Sequence, residues 1–354
     1  MFVTSLDPAT DQYMFGDGKH AYPGIDRVRL VDFKHSRGVS VSDITLLDST
    51  GFHLHFLNCS DVLAERVTVS ADLRWPNNDG IDVTSCNDTV IRDCVIETGD
   101  DAISPKTWYG FGPLHNLLIE GCRFRARSGG IHFGASSWYD YVNVTIRNTV
   151  VVNAHGGLLV QTRGPGSVIG LTVENFMVSH SLFDSPCRPW MGNAQAIAIS
   201  ADRWCGGPAP CDREGPPAGT IRGLRFENIT AQSENGIFVS GRVWGASDVA
   251  FKNVQLVVQQ RPANNGSFGP CPTHAYWPTS DPPGWYDEQD LAVSGVFIEH
   301  ASDVRLEGVS VSFAGEAKPG NTYGECVTVD TNSTSGVMQT GGRCGRGPDG
   351  APGE

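Results

Sequence analysis

Apolar residues recur along the chain in short alternating runs broken by a single turn residue, usually Asn, Asp or Gly. The form is apolar-x-apolar-x-turn-apolar-x-apolar, as in VLAERVTV from Val62 and LLIEGCRF from Leu117. Copies start at Val39, Val62, Thr89, Leu117, Val144, Leu171, Leu224, Val249 and Val304, with successive spacings of 23, 27, 28, 27, 27, 53, 25 and 55 residues. Alternation of period two predicts strands with one face inward, and no helical periodicity intervenes between copies. A unit of this length that repeats without helices stacks one coil of short strands on the next. The two long spacings, near twice the others, mark a skipped coil or an inserted loop. The expected fold is all-β, a single-stranded right-handed parallel β-helix over residues 27–313. It is preceded by an N-terminal segment, 1–26, and followed by a loop-rich, poorly ordered tail, 314–354.

A second strand family runs through the same coils: GIDV at Gly80, AISP at Ala102, GIHF at Gly130, GLLV at Gly157, AIAI at Ala196, GIFV at Gly236 and GVFI at Gly295. Equivalent side chains on neighbouring coils stack about 4.8 Å apart. Asp79 stands two residues before Ile81 and Asp101 two residues before Ile103. Equal offsets predict one exterior ladder carrying both carboxylates, with Asp100 beside it on the other side of the local chain.

Composition narrows the class. A chain of 354 residues, 40% hydrophobic, can bury a core, and 42 Gly with 21 Pro do not favour helix. A formal charge of -13 argues against a nucleic-acid partner, and no apolar run is long enough to span a bilayer as a helix. Ten cysteines and six Asn-x-Ser/Thr sequons, at Asn58, Asn87, Asn143, Asn228, Asn265 and Asn332, point to an oxidising, secreted route. The first twenty residues lack a basic region followed by an apolar one, so no signal peptide is visible. Cys86 and Cys94 fall within repeats and read as buried thiols. Cys187, Cys205, Cys211, Cys271, Cys326 and Cys344 lie in Gly/Pro-rich loops, where bridges are expected, Cys326 with Cys344 among them. No cysteine spacing resembles a zinc site. No metal and no cofactor is expected, and the chain is read as a monomer.

Three clustered carboxylates raise one another's pKa, a cost that solvated turn residues, with Asp82 as a bystander, would avoid. Inverting glycoside hydrolysis uses such a set: one protonated carboxyl for the leaving oxygen and another to activate water, about 6.5–9.5 Å apart.

These phrases also carry a likeness. NNDGID from Asn77 and GDDAISPKT from Gly99 resemble the Asn-Thr-Asp-Gly-Ile-Asp and Gly-Asp-Asp phrases of glycoside hydrolase family 28, the polygalacturonase and rhamnogalacturonan hydrolase family. The likeness runs from about Arg27 to Phe313 and includes WMGNAQAI from Trp190, GTIRGLRFENI from Gly219 and SENGIFVSG from Ser233. It implies Asp100 as general acid, Asp79 and Asp101 as the pair that deprotonates water, and Asn77 and Lys106 as substrate-side residues.

Two departures bear on the sugar. Where the family has Gly-His-Gly, this chain has SGGIHFG, with Gly129 at the histidine position and His132 three residues on. The family's Arg-Ile-Lys aligns with Leu159, Val160 and Gln161, while Arg163 and His155 stand nearby. His132, His155 and Arg163 are therefore candidate substrate contacts, each with a structural alternative. Trp190, Tyr276, Trp277, Trp285 and Tyr286, in long loops near 186–217 and 265–290, are candidates for stacking on sugars. The expected function is hydrolysis of a pectin-type or related polysaccharide by inversion. A Ca²⁺-dependent lyase on the same fold and a non-catalytic carbohydrate-binding β-helix are the alternatives.

Overall fold

The computed structural model describes residues 28–73, 75, 77–134, 136–179, 194–201, 219–241, 245–260, 292–317 and 322–347. It also describes the backbone of two strands, Val3–Asp7 and Gln12–Phe15, which pair antiparallel. Every described element is a strand. Two large parallel sheets build the right-handed β-helix. One holds fifteen strands, and its path runs through all nine repeat copies in coil order. The nine starting positions are direct register partners, Val39 to Val62, Val62 to Thr89 and so on to Val249 with Val304.

The other sheet has ten strands and carries the second family. Ile81, Ile103, Ile131, Leu158, Ile197, Ile237 and Val296 form an unbroken inward column. All seven are buried. The small residue before each is a close approach between coils: a Cβ on Gly80 would sit 2.4 Å from the Ala102 carbonyl oxygen and 2.5 Å from an Ile96 methyl.

The long spacings are insertions and not skipped coils. Leu171 pairs directly with Leu224, and Gln195–Ala201 lies between them on the other sheet; Val249 pairs with Val304 around Val296–Glu299 in the same way.

Turns explain the asparagines. Asn116, Asn143, Asn175, Asn228 and Asn253 adopt φ of 51° to 58°, a left-handed conformation that Asn tolerates better than branched residues. Their side chains bond along the helix axis, with Asn143 Nδ2 donating to Asn116 Oδ1 at 2.7 Å and Asn253 Nδ2 to Asn228 Oδ1 at 2.7 Å. The sequons at Asn143 and Asn228 thus arise where a ladder asparagine precedes an alternating strand.

The tail corrects the sequence expectation. Past Ala314 the coil continues: Val327–Val329 extends the ten-stranded sheet and Cys344–Gly347 pairs with Val311–Ala314. A disulfide between Cys326 and Cys344 ties the two ends of this coil, which supplies order that its short apolar segments do not announce. Cys59, Cys86, Cys94 and Cys122 are buried free thiols. Cys187, Cys205, Cys211, Cys271, Asn265, Trp190, Tyr276, Trp277, Trp285 and Tyr286 lie outside the described residues.

Candidate active site

Backbone bonds between coils bring the carboxylates together. The amide of Gly80 donates to the Asp101 carbonyl at 2.9 Å and that of Ala102 to the Gly129 carbonyl at 2.9 Å, so Asp79, Asp101 and Gly129 start three successive rungs. Gly129 is followed in register by Gly156. One oxygen each of Asp79, Asp100 and Asp101 lie within 4.8 Å of one another. This departs from the exterior ladder read from the sequence: all three are buried, at 3–6% exposure, with Asn77, Lys106, Gly129 and His132 against their oxygens. Their separation is also shorter than the usual inverting gap, since coil spacing sets it.

Each carboxylate has a distinct set of partners. Asp100 Oδ2 accepts from the backbone N–H of Asn77 at 2.7 Å and from its side-chain amide at 3.0 Å, while Oδ1 accepts a single N–H, from Asp101, at 2.9 Å. Asn77 reaches this position from a left-handed turn, φ 51°. Burial, with the charges of Asp79 and Asp101, pushes the Asp100 carboxyl well above the ordinary range, against the bond from Asn77.

Asp101 accepts from the Gly129 amide at 2.8 Å through Oδ1 and from His132 Nδ1 at 2.9 Å through Oδ2. Burial raises its pKa, but the charge and hydrogen bond of His132, with Lys106 and Ser128, outweigh it and hold the carboxyl below its ordinary value. Asp79 is pushed up by burial and by Asp101, and Lys106 opposes this. Its Oδ2 accepts from Lys106 Nζ at 3.0 Å, and its Oδ1 finds no partner among the described residues.

Lys106 is itself buried and committed to this cluster. Its ammonium also donates to Asp82 Oδ1 and lies 4.5 Å from the centre of the Phe52 ring. Burial works against its charge, yet Asp79, Asp82 and Asp101 together raise its pKa. Its place is in the floor of the site and not at a free surface. Asp82, read from the sequence as a bystander, is fully buried in that floor, its pKa driven well up by burial and by Asp79. Alternation carried the signal: Asp82 shares an outward face with Thr84, whose register partner is Lys106. His53, which the sequence reading passed over, fixes the rung from below. Its Nδ1 donates to the carbonyls of Asn78 and Asp79 at 3.1 and 3.0 Å, because Nε2 accepts from Ser49 N–H.

The remaining candidates separate. His132 enters the site, and its second nitrogen meets Gln161 Oε1 at 3.2 Å. A side chain on Gly129 would be 2.8 Å from His132 Cβ and 3.3 Å from Leu159 Cδ1, so glycine at 129 goes with histidine at 132. Arg163 is buried and donates through Nη2 to the same Gln161 oxygen. His155 is buried one residue before Gly156, on the rung after Ser128. Gln161, found by the sequence only as a lost cation, is thus the link between His132 and Arg163.

The carboxylates are close enough for a hard cation such as calcium to meet all three oxygens. Lys106 already stands against Asp79, and its ammonium would repel a divalent ion there.

The profile of the family described as Glycosyl hydrolases family 28 matches residues 4–264. A probable polygalacturonase of Vitis vinifera is 30% identical over 155 residues, which cover 42% of this chain and 31% of that protein. Among solved structures, a polygalacturonase from Erwinia carotovora ssp. carotovora superposes with a TM-score of 0.53 at 20% identity, covering 68% of this chain and 57% of that one. A family 28 exopolygalacturonase of Yersinia enterocolitica superposes at 0.51 and 17% identity, covering 96% and 50%. The chain spans half or less of the length of the first curated relatives it matches.

Proposed function

From the premise that the chain belongs to glycosyl hydrolases family 28, we propose that it hydrolyses a pectin-type or related polysaccharide by acid/base catalysis with inversion. The observation that carries this reading is the buried trio in which Asp79 and Asp101 stack in register and Asp100 stands beside them. Asp100 is the general acid: it is pushed upward, and its Oδ1, accepting one N–H among the described residues, has room for the transferable proton. Asp79 and Asp101 hold the attacking water. A water bonded at about 2.8 Å to two oxygens spans a gap of this size, and the unpartnered Oδ1 of Asp79 accepts its proton. Both oxygens of Asp101 are already occupied, which argues against that carboxylate as a nucleophile.

A lyase would need a basic side chain free to abstract a proton. Lys106 is pinned between carboxylates with its pKa raised, the opposite of what a general base requires.

Among the described residues beyond Asp101, Gly129 and Leu159 are neutral and Arg163 donates to Gln161. This supports a neutral, esterified or mixed chain as the substrate. Extracellular action and a monomeric state belong to the same reading, and the disulfide supports the first of them.

Purified protein incubated with polygalacturonic acid, methyl-esterified pectin, rhamnogalacturonan and neutral glycans is expected to release reducing ends insensitive to chelator. The first-formed product is expected to have inverted anomeric configuration, and turnover on unsubstituted polygalacturonic acid to be the weakest of the cleaved pectic substrates. Unsaturated, ultraviolet-absorbing products would establish a lyase instead. Sugar binding without any turnover would establish a non-catalytic module, and a retained anomer would make Asp79 a nucleophile.

A further inference from the structure

Behind Asp101 lies a run of polar side chains that the proposed reaction does not itself use. His132 sits between two acceptors, with Nδ1 2.9 Å from Asp101 Oδ2 and Nε2 3.2 Å from Gln161 Oε1. The orientation of the Gln161 amide decides the state of the ring. Arg163 Nη2 donates to the same Oε1, and arginine has no acceptor to offer. Turning the amide over would set its NH2 against the guanidinium, donor to donor, so the oxygen stays where it faces His132. Nε2 must then carry a hydrogen, and the carboxylate opposite requires one at Nδ1.

We propose that Arg163 and Gln161 form a positioning relay that keeps His132 doubly protonated and so keeps Asp101 an anion oriented for its work. The relay rests on the hydrolytic reading for its purpose but not for its existence.

Surrounding groups fit it. The nearest side chain in register with His132 is Leu159, which carries no charge to repel a cationic ring and packs against the rung of Gly129 and Gly156. Among the described residues, the titratable and charged groups facing the pair are Asp79, Asp82, Asp100 and Lys106 from the two preceding coils and Arg163 from the following strand, with His155 at the start of that strand. Four carboxyls, those of Asp79, Asp82, Asp100 and Asp101, thus face three basic groups, Lys106, Arg163 and His132. Burial and neighbouring charge drive Asp82 and Asp100 furthest upward, and Asp101 is the carboxyl that His132 holds down. The buried Nε2 of Gln161, with no partner among the described residues, is a cost accepted for holding the oxygen inward.

The test uses full-length protein labelled with nitrogen-15 in histidine, the His132 signals being assigned by their loss in His132→Asn. In the wild type, His132 is expected to show the signature of a ring that donates from both nitrogens, to Asp101 and to Gln161. In Gln161→Leu that signature should disappear at a pH lower by about one unit or more, and Gln161→Glu should restore it. Arg163→Met, which leaves the amide free to turn, should move in the same direction as Gln161→Leu and serves in its place if that variant does not fold. On a cleaved glycan, the acid limb of kcat/KM should move to higher pH in Gln161→Leu, because Asp101 then needs higher pH to ionise, and return in Gln161→Glu. An unchanged His132 titration in Gln161→Leu and Arg163→Met overturns the relay. Normal ring behaviour in a wild type that cleaves no glycan overturns the hydrolytic reading alone.

Discussion

Asp100→Asn is expected to bind glycan about as well as the wild-type protein while turning it over about 10²-fold or more slowly. The substitution keeps the shape and removes the transferable proton. Its amide oxygen can still accept both N–H groups of Asn77, but the new NH2 then faces the Asp101 N–H that Oδ1 now accepts at 2.9 Å. That donor-to-donor contact costs about 1–3 kcal/mol of stability, so binding and unfolding need to be measured beside the rate. The discriminating substrate carries a very good leaving group, which departs with little help from an acid. On it Asp100→Asn should regain much of its rate, whereas Asp79→Asn and Asp101→Asn should not, because they act on the water. Full activity of Asp100→Asn on a natural glycan would remove Asp100 from the role of acid. Equal rescue of all three variants would dissolve the division of labour within the trio.

Much of this architecture is legible in the chain because a β-helix repeats its physics every coil. Ile81 and Ile103 meet the same inward environment, so their spacing from Asp79 and Asp101 reveals the shared rung without any structure. What lies over a rung is not repeated. The trio meets side chains from other coils, Asn77 on Asp100, Lys106 on Asp79 and His132 on Asp101, and the sequence therefore reads as an exterior ladder what is in fact enclosed. Side-chain direction is lost in the same way. His132 is three residues past the position where the family likeness looks for a histidine, and it reaches Asp101 because Gly129 leaves the space open. The final coil is hard to read because Val327–Val329 is too short to show a period, and Cys344–Gly347, which pairs with Val311–Ala314, has no apolar alternation; only its disulfide to Cys326 is legible.

Lys106→Met should be the most destabilising single change in the site, and its cost should depend on pH. Methionine fills the space and keeps an apolar stem near Phe52, so packing is largely retained. What disappears is the ammonium that donates to Asp79 and Asp82, both buried. Removing one partner of a buried ion pair costs about 3–5 kcal/mol, because the charge left behind has neither water nor counter-ion. The carboxyls can avoid part of that cost by taking up protons. Asp79 and Asp82 are already raised by burial, and without Lys106 they rise further. A carboxyl whose folded pKa lies above its unfolded value contributes stability at low pH that is lost as pH climbs through the folded value. The deficit of Lys106→Met should therefore be small in mild acid and grow through neutral pH. Denaturant unfolding of both proteins at pH 5 and pH 8 measures it, and a deficit equal at the two would show that Lys106 acts by packing and not by charge. A double variant, Lys106→Met with Asp82→Asn, should recover part of the stability at pH 8, since one of the two stranded charges is gone. It should not recover activity, because Asp79 would still lack the cation that keeps it ionised to accept a proton from water.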